Sequence, residues 1–158
     1  MADVTGSDKD IEATEGFVLN HTMLRIKDPE RSLDFYQRIL GMKLVDRKDF
    51  EEAKFSLFFL EPRGHGAAEG PRSARPGILE LTHNWGTESD DSQMHSGNEE
   101  PRGFGHICIS VPDIEAACAR FDAEGVKFRK RLEDGRMRGL AFILDPDGYW
   151  IEIIEYKR

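Results

Sequence analysis

The sequence predicts an α+β fold made of two similar βαβββ modules in one chain. Three observations carry this. An order of apolar runs and turn signals that reads strand, helix, strand, strand, strand occurs twice along the 158 residues. Each occurrence opens on a strand with a His near its start and closes on a strand with one embedded Glu: His21 and Glu80, then His106 and Glu152. The span from that His to a helix-closing Gly is nearly equal, about 20 residues from His21 to Gly41 and about 19 from His106 to Gly125.

Taken in order, residues 1–16 are polar and acidic and read as a mobile arm, without the apolar stretch of a secretory signal. Leu19 to Ile26 is the first strand. In Asp28-Pro29-Glu30, Asp28 suits the N-cap, Pro29 the first helical position and Glu30 the positive end of the helix dipole. Leu33, Tyr36 and Leu40 then form an apolar stripe, and Gly41 closes the helix. Met42 to Val45 starts a strand, and Lys54 to Leu60 is another, rich in aromatics. Glu61 to Gly77 reads as a loop that absorbs the longer His-to-Glu span of the first half, about 59 residues against about 46. Ile78 to Thr82 carries Glu80.

Residues 84–103 are polar and Gly/Ser/Asp-rich and link the halves; at this length the segment either carries function or holds a short helix. The second half repeats the plan. Asp113 caps a helix with Ile114, Ala117, Cys118 and Phe121 on one face, and Gly125 ends it. Val126 to Lys130 and Gly139 to Leu144 are strands, and the turn Asp145-Pro146-Asp147-Gly148 leads into the strand with Glu152. The domain boundaries are therefore 1–16, an arm; 17–83, the first module; 84–103, the connection; and 104–158, the second module.

Composition narrows the function. A net charge of −8 argues against nucleic acid or an anionic membrane as the main partner, while leaving room for a local basic pocket for a small anion. No apolar run approaches the ~20 residues of a membrane-spanning helix. The two cysteines, Cys108 and Cys118, have neither a disulfide framework nor CxxC spacing; they read as packing thiols in a reducing compartment, and the cytoplasm is the expected location.

The chemistry lies in the His and Glu residues. Along a strand, Glu152 shares a face with Trp150 and Ile154. A carboxylate on an apolar face must be neutralised by a proton, a cation or a metal. A lone strand carboxylate usually faces water, but His, Glu, His, Glu on four strands is a pattern. Two neutral imidazoles and two carboxylates suit a divalent ion and cancel its charge. Arg25 falls on the same strand face as His21 and Met23. His65, His83 and His95 lie in or beside loops and read as structural.

Several longer stretches carry a resemblance: Thr22 to Pro29, Ser32 to Tyr36, Lys54 to Leu57, Leu79 to Glu88, Pro101 to Ile107 and Asp145 to Ile153. In that order they resemble the glyoxalase I (lactoylglutathione lyase) family of the vicinal-oxygen-chelate superfamily, over about Phe17 to Ile154. The resemblance implies a glyoxalase/bleomycin-resistance-type fold whose curved sheets enclose one divalent metal held by His21, Glu80, His106 and Glu152. It implies an enzyme that isomerises the hemithioacetal of methylglyoxal and glutathione to S-lactoylglutathione through an enediolate, with Glu152 as base and Glu80 as ligand and second proton carrier.

Glutathione, the co-substrate, would meet Arg25 and Arg102 through its carboxylates and Asn84 through its peptide. Lys130, Arg136 and Met137 would sit at the mouth of the site, and Phe50, Leu57, Phe59 and Leu140 would line its apolar pocket. The family also implies a homodimer in which each site takes His21 and Glu80 from one chain and His106 and Glu152 from the other. Two departures stand out. The long loops resemble a zinc-using branch that usually has Gln at the first ligand position, whereas His21 resembles the nickel- or cobalt-using branch, so zinc and nickel or cobalt both stay open. Arg136 replaces a Lys. The rival readings are a thiol transferase or Fe(II) dioxygenase on the same fold, which needs only three protein ligands, and a metal-free small-molecule-binding module.

Overall fold

Strand registers show how each half presents its His and Glu. A computed structural model of the chain describes residues 12–63 and 70–156. Residues 1–11 of the expected arm, and His65 with part of the Glu61 to Gly77 loop, lie outside the described residues. The first half contains β1 (His21–Ile26), β2 (Lys43–Phe50), β3 (Phe55–Glu61) and β4 (Ile78–Asn84), in the sheet order β1-β4-β3-β2. The second contains β5 (His106–Val111), β6 (Phe128–Lys130), β7 (Leu140–Leu144) and β8 (Trp150–Glu155), in the order β5-β8-β7-β6. In each sheet the first strand pairs parallel to the last, and the other pairings are antiparallel. The two-module reading therefore holds down to the strand order.

Each sheet has a core face and an open face. In β1, Leu24 and Ile26 are buried while His21, Met23 and Arg25 are exposed. In β8, Ile151 and Ile153 are fully buried while Trp150, Glu152 and Ile154 are only partly covered. The period of two that put Glu152 beside Trp150 and Ile154 is thus the period seen. The core faces share one apolar cluster, which includes Leu24, Leu60 and Leu81 from the first half and Ile143, Ile151 and Ile153 from the second. Truncating any of these leucines to Ala removes buried surface worth about 2–5 kcal/mol.

The helices follow their caps. Asp28 accepts from the backbone N–H of Glu30 and Arg31 at the start of α1 (Pro29–Asp34). Asp113 accepts from that of Ala116 at the start of α2 (Ile114–Ala123), which buries Ile114 and Phe121. Gly41 and Gly125 end these units at φ of 70° and 71°, a left-handed conformation that glycine adopts without strain. One element differs from expectation. Beyond Asp34 the chain continues as a π turn (Phe35–Ile39), with Leu40 N–H bonding the Phe35 carbonyl. Apolar spacing of three and four residues fits either winding, so the sequence carries no signal for it.

The halves are joined by polar contacts as well as by the core. Tyr36 Oη donates to Asp145 Oδ2 at 2.9 Å, and both residues are buried. Asp145 Oδ1 also accepts from the backbone N–H of Asp147 and Tyr149, which builds the turn before β8. Burial is the main cause that raises this carboxyl to a pKa of about 6. The connection at 84–103 is tied down rather than loose: Lys27 Nζ donates to the carbonyls of Asp90 and Ser92, and Asn98 bonds the Gly105 carbonyl. It holds a short 3-10 turn, Thr87–Ser89.

Candidate metal centre

Pairing places the four ligand-type residues as two matching pairs. On the open face of the first sheet, His21 heads β1, and Glu80 in β4 lies between Met23 and Phe59 in the register. His21 Nε2 stands 3.4 Å from Glu80 Oε2. On the second sheet, Glu152 lies between Cys108 and Phe142, and His106 Nε2 stands 3.2 Å from Glu152 Oε2. Each imidazole meets a phenylalanine edge-on, His21 with Phe59 at 6.2 Å and His106 with Phe142 at 5.3 Å. The duplication extends to the neighbours of these residues.

This donor set fits a divalent ion. Two neighbouring ligands about 2.1 Å from one ion, at angles between octahedral and tetrahedral, lie roughly 3.0–3.4 Å apart. Both pairs meet that spacing. Within one chain, however, the pairs do not complete a centre: among the described residues no three His, Cys, Asp or Glu side chains converge to hold an ion. His21 and His106 both border a cavity of about 430 Å³ with Leu19 and Phe104, but neither Glu80 nor Glu152 lines it.

The other site residues read from the sequence fall into groups. Arg25 Nη1 donates to Asn84 Oδ1 at 2.7 Å, so these two meet on the open face of the first sheet. Lys130, Arg136 and Met137 come together with Phe142 and Trp150 around a cavity of about 550 Å³ on the second. Lys130 Nζ also bonds the Leu140 carbonyl. Phe50 is exposed and stacks on Phe55 at 4.6 Å, and Leu57 is half-buried in the same sheet. Phe59 is buried, because the Arg72 guanidinium lies 3.7 Å above its ring. Arg102 stands apart, highly exposed and paired with Glu100.

Sequence reasoning missed three neighbours of the candidate residues. Cys108 is an exposed thiol in register with Glu152, not a packing residue; burial and the adjacent carboxylate raise its pKa. The alternation that placed His106 on the open face places Cys108 there too. Phe142 was findable in the same way, two residues beyond Leu140. Arg72 carried no local signal. Of the histidines read as structural, His83 is buried against Glu88 at 2.7 Å, and His95 bonds the Pro101 carbonyl.

The class follows from fold and comparison together. Residues 18–153 match the Glyoxalase/Bleomycin resistance protein/Dioxygenase superfamily, and the chain belongs to it. Within that class its similarity is to glyoxalase I proteins. It is 61% identical over 151 residues to the lactoylglutathione lyase of Pseudomonas putida, covering 90% of this chain and 87% of that one. It is 56% identical over 149 residues to glyoxalase I of Saccharomyces cerevisiae, covering 89% of this chain and 45% of the longer yeast protein. Among solved structures, the trypanothione-dependent glyoxalase I of Leishmania major superposes with a TM-score of 0.66 at 34% identity, covering 87% of this chain and 85% of that one.

Proposed function

We propose that this chain, an enzyme of the glyoxalase I type, converts the hemithioacetal of glutathione and methylglyoxal to S-lactoylglutathione at a centre formed by His21, Glu80, His106 and Glu152. The observation that carries this reading is the pair of His–Glu arrangements with ligand-like spacing on equivalent open faces. Four such residues exceed what a three-ligand dioxygenase needs, and a metal-free binding module has no use for them. A divalent ion, zinc or nickel or cobalt, would supply a Lewis acid that stabilises charge developing on the substrate oxygens.

The chain's own residues do the rest. Glu152 takes the carbon-bound proton and returns it to the neighbouring carbon, flanked by the apolar Phe142 and Trp150. Glu80 is a ligand and the second proton carrier. Arg25 and Arg102 bind the carboxylates of the tripeptide by forked hydrogen bonds, with Asn84 on its peptide. Lys130, Arg136 and Met137 form the mouth; Phe50, Leu57, Phe59 and Leu140 make up the apolar wall.

The site is completed by a second copy. One chain offers two half-centres, each with one His and one Glu, and exposed apolar residues such as Met23, Phe104 and Met137 accompany them. A two-fold dimer would join the first half of each chain to the second half of its partner. We place this dimer in the cytoplasm, with no membrane or nucleic-acid partner; among the described residues no helix is long and apolar enough to cross a membrane.

Chelation tests the reading. Exhaustively chelated protein should lose hemithioacetal isomerase activity and recover it on adding back Zn, Ni, Co or Mn, with about one ion bound per chain. Full activity in verified metal-free protein would refute the assignment.

A further inference from the structure

We infer that Asn20 is a positioning residue for His21: clamped by the Arg72–Arg75 turn, it sets which ring nitrogen of His21 faces the metal. This rests on the reading of His21 as a ligand. Asn20 Nδ2 lies 2.8 Å from the Arg72 carbonyl and 2.8 Å from the Arg75 carbonyl. Its Oδ1 lies 2.8 Å from His21 Nδ1. Carbonyl oxygens only accept hydrogen bonds, so the amide nitrogen must face the two of them. A flipped amide would set its oxygen against two other oxygens. Oδ1 therefore faces the imidazole, and because it too only accepts, His21 Nδ1 must carry the hydrogen. In the neutral ring the lone pair then sits on Nε2, the atom beside Glu80 Oε2. Ligation of a metal through Nε2 needs that tautomer.

The turn that holds Asn20 is itself held. The Arg75 N–H bonds the Arg72 carbonyl, closing the turn. Arg72 Nε pairs with Asp46 at 3.2 Å in β2, and the Arg72 guanidinium covers Phe59 in β3. Arg75 Nη1 pairs with Glu61 at 2.6 Å. The sheet thus fixes the turn, the turn fixes the amide, and the amide fixes the ring. Phe59 touches both ends of this chain of contacts, under Arg72 and against the edge of His21.

The second half has no counterpart. Gly105 precedes His106 and offers no side chain, and among the described residues His106 Nδ1 makes no hydrogen bond. The extra residues between β3 and β4 thus have a use: they bring two carbonyls to Asn20, 52 and 55 residues away in sequence.

The test uses the full-length protein. Imidazole ¹⁵N spectra of the metal-free wild type, with His21→Ala identifying the resonance, report the tautomer directly. Competition against a chromophoric chelator gives Zn²⁺ affinity for wild type, Asn20→Ala and His21→Ala. We expect His21 to be Nδ1-protonated in the wild type. Asn20→Ala should lose that bias and bind Zn²⁺ about 10–100-fold more weakly. A wild-type ring protonated on Nε2 overturns the inference whatever the variants do. Wild-type affinity in Asn20→Ala alongside a large loss in His21→Ala overturns it while leaving the ligand assignment standing. Wild-type affinity in His21→Ala removes the ligand assignment and the inference with it.

Discussion

Two inactive proteins should make an active one when mixed. The first carries His21→Ala with Glu80→Ala and so loses the first-sheet pair; the second carries His106→Ala with Glu152→Ala and loses the second-sheet pair. The pairs sit 3.4 Å and 3.2 Å across on separate sheets, so each lesion removes one half-centre and leaves the other untouched. The four residues substituted in such a pairing leave the core faces intact, since they lie on the open faces. In a mixed dimer with shared sites, one site collects every lesion and the other is whole. Random pairing makes half the dimers mixed, and each has one good site of two, so about a quarter of the wild-type activity should return. The assay is hemithioacetal isomerisation after unfolding and refolding an equal mixture with metal, with mixed dimers quantified by distinct affinity tags. Each parent refolded alone should stay inactive. If mixed dimers are present and no activity returns, the centre is built within one chain and the shared-site argument is wrong.

Glu152→Gln should keep the fold and much of the thiol binding but lower turnover by at least ~100-fold, because the amide cannot accept the carbon-bound proton; a near-wild-type rate in metal-loaded protein would place the base elsewhere. A further outcome concerns stability. Burial raises the Asp145 carboxyl from 3.8 to about 6, so between those values the folded chain holds a proton that the unfolded chain has released. The stabilisation from this group is full below the lower value and is lost as pH rises through the upper one, by up to about 3 kcal/mol. Asp145→Asn should remove that part of the pH dependence; equal shifts of the urea midpoint between about pH 4.5 and 7.5 in both proteins would refute the role of Asp145.

Local rules were enough for much of this molecule. The period of two along a strand put His21, Met23 and Arg25 on one face and Trp150, Glu152 and Ile154 on another, because backbone pleating depends on nothing distant. Asp28 and Asp113 as caps, Gly41 and Gly125 as helix ends, and the turn at Asp145 are likewise set by a few neighbouring residues. The duplication, and with it the fold class and the set of ligand-type residues, followed from repeating those local patterns.

Tertiary structure decided what joins residues far apart in the chain. Tyr36 meets Asp145, Asn20 meets the Arg72–Arg75 turn, and Arg72 covers Phe59, and none of these pairings has a sequence period. They depend on strand register and on which faces pack together. The same holds for the separation of the two half-centres. The sequence by itself singled out two His and two Glu as one set of ligand-type residues. Only the packing of sheets that present them on separate open faces decided that a single chain holds them as pairs, because side-chain reach is a few ångströms and the spacing between sheets is set by the core.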